Sequence, residues 1–259
     1  DDDLNIDKTA YRKHLRHVAS VPGLTAITVN AHASEVASCS FDEQERILAV
    51  TMDEIGDEIP VVNGIYADGS QEAARIARMA DQGGASCLLV FPPSPFILGA
   101  QGRPEMALAH FKAIADATDL PIICFQYPLG GGQGYPLATL VRLAEEVPTV
   151  RAIKDWSDNV RLHERHIRTL QTLSRPVNVL TTHSTWLMSS LVLGCSGLLS
   201  GSGSVIVDLQ AALWQAVQDG DLAQAQRLND RIYPLAEAFY ADPFADMHNR
   251  MKEALVILG

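Results

Sequence analysis

Apolar residues along this chain gather mostly in short unbroken runs rather than alternating with polar ones. Seven runs stand out, at residues 24–29, 59–65, 86–91, 120–125, 150–154, 177–180 and 197–200. A strand that is apolar on both faces is buried on both faces, the habit of a parallel sheet covered by helices. Between the runs, apolar residues recur at helical spacing. Ser40-Phe-Asp-Glu43 is a capping box and predicts a helix running to about Ile55. Pro104 suits the first turn of a helix carrying Phe111, Ile114 and Ala115. Further helices are expected over Lys8–Ala19 and after Pro136, Ser157 and Val207.

Strands alternating with helices make either a barrel or a doubly wound sheet. A nucleotide-binding sheet carries a Gly-rich turn after its first strand. Here that position reads Asn-Ala-His-Ala-Ser-Glu over residues 30–35, with no glycine, so the barrel is favoured. The expected fold class is α/β, a (β/α)8 TIM barrel over residues 1–218 with a C-terminal helical extension over 219–259. Seven visible strands fall one short of such a barrel, and a helix precedes the first of them. The first strand is therefore expected to be missing from the sequence, along with part of the C-terminal helical segment.

Composition narrows the partners. The chain has 20 basic and 31 acidic residues among 259, a net charge of −11, which disfavours nucleic acid and anionic membrane. The one basic run, Arg12, Lys13, His14, Arg16 and His17, reads as the solvated side of a helix. No apolar run reaches the roughly 18 residues of a membrane span. The acidic start Asp1-Asp-Asp3 is unlike a signal peptide. Four scattered cysteines with no Cys-x-x-Cys pair suit a reducing compartment, so a cytoplasmic enzyme is expected. No metal site is expected, because the histidines and carboxylates show no close ligand spacing such as His-Glu-x-x-His, and no cofactor is expected either. His163 and His166, set among Arg161, Glu164 and Arg165, read as a solvated helix face.

Barrel chemistry gathers at the C-terminal ends of strands. Of the five lysines, Lys8, Lys13, Lys112, Lys154 and Lys252, only Lys154 ends an apolar strand. Desolvation there lowers an amine's pKa and makes it nucleophilic, unless the lysine is paired with the adjacent Asp155. The preceding strand ends at Tyr127, a phenol placed either to shuttle protons beside an imine or to pack at the rim. Gly130, Gly131, Gly132 and Gly134 follow in a flexible loop.

The spacing Tyr127-Pro, Ile153-Lys154-Asp155 and Gly194-Cys-Ser-Gly197-Leu-Leu-Ser200 resembles the dihydrodipicolinate synthase / N-acetylneuraminate lyase family. So do Glu35 with Asp42-Glu43, and the stretch from Phe111 to Pro121. The resemblance implies that Lys154 forms a Schiff base with a 2-oxo acid and that Tyr127 moves protons. It also implies that Ala31, His32, Ala33, Ser34 and Glu35 hold the substrate carboxylate through backbone N–H groups, with His183 and Leu199 also at the substrate. By the same resemblance the protein is a homo-oligomer, a tetramer, acting on a small-molecule substrate as an aldolase, dehydratase or deaminase. In that family the lysine lies on the sixth strand and here on the fifth visible one, which again points to a missing first strand.

The chain also departs from the family pattern. His32 and Ala33 replace both threonines of the carboxylate turn, Pro93 and Ser94 stand near the place of an aromatic pair, and Gly132 near that of an arginine. His32 and His183 are candidate general acids or bases with pKa near working pH, or else ordinary hydrogen-bonded loop residues. Trp156 either stacks on an extended substrate or packs between barrel and helix. Two alternative functions remain open: a phosphate-binding barrel isomerase or lyase using the Gly201–Ser204 loop, and a non-catalytic 2-oxo acid binding protein.

Overall fold

The computed structural model describes residues 5–259, so the acidic start lies outside the described residues. Every expected run contains a strand. β1 (Ile27–Val29), β2 (Val61–Ile65), β3 (Cys87–Val90), β4 (Ile122–Gln126), β5 (Val150–Asp155), β6 (Asn178–Thr181) and β7 (Gly197–Leu198) form one curled sheet in chain order. Every neighbouring pair is parallel. β1 and β7 are its two edges among the described residues.

Helices cover the outside: α1 (Lys8–Ala19), α2 (Phe41–Ile55), α3 (Ser70–Gln82), α4 (Pro104–Ala115), α5 (Leu137–Glu146), α6 (Val160–Leu170), α7 (Leu187–Val192), α8 (Gly203–Gln218), α9 (Leu222–Phe239) and α10 (Met247–Leu258). The Ser40–Glu43 capping box forms, and Pro104 opens α4. In the basic run on α1, Lys13, Arg16 and His17 are exposed while Arg12 and His14 are half-buried, and the arginines pair with Asp53 and Glu54 of α2 and with Glu58 just beyond it. The eighth helix begins earlier than the sequence suggested, with a break in helical geometry at Ile206.

Successive strand residues face opposite sides, and this divides the core. The larger cluster, including Leu88, Phe111, Ile122, Ile153 and Leu170, lies between sheet and helices. The smaller fills the inside of the curl with Val62, Leu89, Phe91, Ile123, Phe125 and Ala152. One glycine fixes how the first βα loop leaves the sheet. A Cβ on Gly64 of β2 would lie 1.8 Å from the Asn30 carbonyl oxygen, so only glycine lets the end of β1 approach this closely. Asn30, in the left-handed region (φ 51°), donates from its side chain to Gln44 O and Asn63 Oδ1. The loop over residues 31–35 is thereby aimed across the mouth of the curl.

Candidate active site

On β5, Ala152 and Lys154 face inward while Ile153 and Asp155 face the helices. This alternation separates the lysine from its sequence neighbour. Lys154 is 5% exposed and forms no ion pair among the described residues. Its Nζ lies 4.2 Å from the centre of the Phe125 ring, its register partner on β4. Burial brings its pKa down from 10.5 to about 7.

Asp155 takes its partners from α6. The Nδ1 groups of His163 and His166 donate to Asp155 Oδ2 at 2.8 and 2.7 Å, and the Ser157 N–H donates to Oδ1 at 2.7 Å. Ser190 Oγ on α7 lies 2.6 Å from His163 Nε2. Burial pushes the Asp155 carboxyl up, but the two imidazole donors hold it far below the usual carboxylate range. The solvated face expected for His163 and His166 is thus corrected: both are 0% exposed and clamp α6 to the back of β5.

Tyr127 follows β4 on the inward side. Its ring meets those of Phe125 and Trp156 edge-on at 4.8 and 5.2 Å, so one aromatic group joins it to the lysine strand. Burial first, and then Tyr66 at the end of β2, push its hydroxyl pKa well above the ordinary value. Gln126 exchanges two hydrogen bonds with the Tyr135 backbone and pins the glycine loop that follows.

Lys154 lines a cavity of about 250 Å³ with His32, Ala33, Trp156, His183, Trp186 and Tyr240 among others. Tyr127 lines a second of about 380 Å³, with Tyr66, Glu35, Gln133 and His248. His32 lines both. Trp156 is therefore a cavity wall, stacked on Phe244 at 5.4 Å, rather than packing between barrel and helix.

The turn over residues 31–35 is less open to a ligand than its sequence implied. The N–H groups of Ser34 and Glu35 bond back to Ala31 and His32 carbonyls, and the Ala31 N–H donates to Ser34 Oγ at 2.8 Å. Glu35 pairs with Lys252 of α10 at 2.7 Å. His32 and Ala33 keep N–H groups without an acceptor among the described residues, and both line the lysine cavity.

The expectation that His32 and His183 titrate near working pH is corrected. Burial, then Lys154 and His248, bring His32 down to about 4. Burial brings His183 down to about 3. His183 is also fully engaged: the Asp158 N–H donates to its Nε2 at 3.1 Å, and its Nδ1 donates to Thr181 Oγ1 at 3.2 Å. Its ring stacks on Trp186 at 3.8 Å and lines the lysine cavity. Leu199 packs on the apolar cluster inside the curl and does not line either cavity. Around the Gly201–Ser204 loop the N–H groups of Gly203, Ser204 and Val205 bond to the carbonyls of Ser200, Gly201 and Ser202, which leaves a phosphate few donors.

The sequence pattern of the dihydrodipicolinate synthetase family matches residues 1–259. The chain belongs to that family. It is 24% identical over 240 residues to 4-hydroxy-tetrahydrodipicolinate synthase of Maridesulfovibrio salexigens, covering 93% of this chain and 80% of that one. It is 29% identical over 225 residues to the enzyme of the same name from Sphingopyxis alaskensis, covering 85% and 73%. The crystal structure of YagE, a dihydrodipicolinic acid synthase family protein of Escherichia coli solved in complex with pyruvate, superposes with a TM-score of 0.89 at 24% identity. It covers 99% of this chain and 84% of that one. The fold is the family's TIM-barrel fold, and the protein is a lyase of the dihydrodipicolinate synthetase family.

Several wall residues of this family member went unnoticed in the sequence. Tyr66 directly follows an apolar run, a signal that could have found it. Thr182, Thr185 and Trp186 flank His183 in one short loop and were equally accessible. Tyr240, Phe244 and Met247 come from the segment read as an extension beyond the barrel, yet they line the lysine cavity. Nothing in their spacing announces this, because it depends on how α9 and α10 pack against α8.

Proposed function

We propose that this lyase acts on a 2-oxo acid through an imine at Lys154. The observation that carries this is a buried amine at the mouth of the barrel, with no carboxylate partner among the described residues and brought to a pKa of about 7 by burial. The uncharged amine adds to the C2 carbonyl, the carbinolamine loses water, and the iminium accepts the electron pair released when a bond to C3 breaks, C3–C4 in aldol cleavage or C3–H ahead of loss of a leaving group from C4. Aldol cleavage, dehydration and deamination all draw on that sink.

The roles of the other residues follow from position. Tyr127, one strand away, exchanges protons with the substrate; its raised pKa keeps it a neutral donor and acceptor. His32, uncharged and common to both cavities, stands between amine and phenol. The free N–H groups of His32 and Ala33 hold the carboxylate, while Ala31, Ser34 and Glu35 shape the turn through internal bonds.

The test is reduction with borohydride in the presence of pyruvate, read by intact mass. Wild type and Tyr127→Phe should gain the reduced adduct, with Tyr127→Phe turning over about 10²–10⁴-fold more slowly. Lys154→Ala and Lys154→Arg should gain nothing, the guanidinium remaining protonated. An adduct on Lys154→Ala would refute the proposal.

A further inference from the structure

The turn that faces the substrate carboxylate has lost its side-chain hydroxyls. His32 and Ala33 offer N–H groups only, and the one hydroxyl present, Ser34 Oγ, is closed onto the Ala31 backbone. A different hydroxyl arrives at the same rim from the far end of the chain. Tyr240, at the C-terminal end of α9, lines the cavity that holds Lys154 and Ala33. Its oxygen accepts a hydrogen bond from the Ser202 N–H at 3.0 Å. Its own proton has no acceptor among the described residues.

Gly201 brings the two together. A Cβ built there would lie 3.1 Å from Ala33 Cβ and 3.3 Å from the Tyr240 hydroxyl, so turn and phenol meet across a residue with no side chain. The ring is fixed by stacking on Phe244 at 5.8 Å, which stacks in turn on Trp156, two residues past the lysine. A phenol that already accepts one hydrogen bond is a better donor in the second, since linked bonds polarise one another.

We propose that the Tyr240 hydroxyl donates to the substrate carboxylate, completing a donor set with the N–H groups of His32 and Ala33. The C-terminal segment thereby supplies a substrate-binding residue. This rests on the imine at Lys154, which places the carboxylate next to the carbonyl under attack.

The experiment measures borohydride trapping against concentration for pyruvate and for hydroxyacetone, a ketone without a carboxylate. Tyr240→Phe should raise half-saturating pyruvate by about 10- to 100-fold, the span of one hydrogen bond to a charged group. It should leave hydroxyacetone and the limiting trapping rate unchanged. Gly201→Ala, which crowds the phenol and Ala33 alike, should raise the pyruvate value in the same direction, since both belong to the donor set, and serves if Tyr240→Phe does not fold. An unchanged pyruvate value in both variants overturns the assignment, as does an equal rise for both ligands. Failure of the wild type to trap either ligand is a distinct outcome, which removes the imine and this assignment with it.

Discussion

At Lys154 the ammonium form has lost its water without gaining a carboxylate among the described residues, so its proton leaves near neutrality. Because only the uncharged amine attacks a carbonyl, trapping should be full above that pKa and should fall away as pH drops through about 7. A plot of the initial trapping rate against pH checks this; a midpoint near the ordinary 10.5 would show a solvated lysine instead. The lysine was legible because it is the only one that ends an apolar run. The choice between activated amine and ion pair with Asp155 follows from strand alternation, which faces the two side chains oppositely. The titration of His32 and His183 was not legible, since both shifts arise from burial by residues distant in sequence.

At the scale of elements, α6 shows how a misread face hides a network. The charged sequence neighbours of His163 and His166 suggest a solvated face, yet both fall on the same helical stripe as Ile167 and Leu170, all of it buried. Spacing of three, four and seven marks that stripe, so the pattern was present but the polarity of histidine masked it. The network it builds joins β5, α6 and α7 through Asp155, His163 and Ser190. Asp155→Asn leaves two buried imidazoles facing a neutral amide whose nitrogen is itself a donor. Unfolding in denaturant should show a loss of about 1.5–3 kcal/mol, the usual worth of hydrogen bonds to a buried charged group. An unchanged midpoint would mean that the carboxylate does not hold the helix.

Across the whole molecule, the run-and-helix pattern implied the parallel sense of the sheet, because its central strands, β2 and β4 above all, are buried on both sides. What it did not give is the far wall of the cavity. Tyr240, Phe244 and Met247 reach the lysine only through the packing of α9 and α10 on α8, a tertiary contact with no local trace. The internal bonding of the 31–35 turn was hidden for a similar reason, since it depends on Ser34 folding back and on Lys252 from α10. The proposed chemistry rests on Lys154, the lysine that the fold singles out. Proteolysis of the borohydride-reduced pyruvate complex, followed by mass mapping of every lysine peptide, tests this most directly. The adduct should fall on the peptide containing Lys154 and leave those of Lys8, Lys13, Lys112 and Lys252 unmodified; an adduct on any of those four, or none at all, would contradict it.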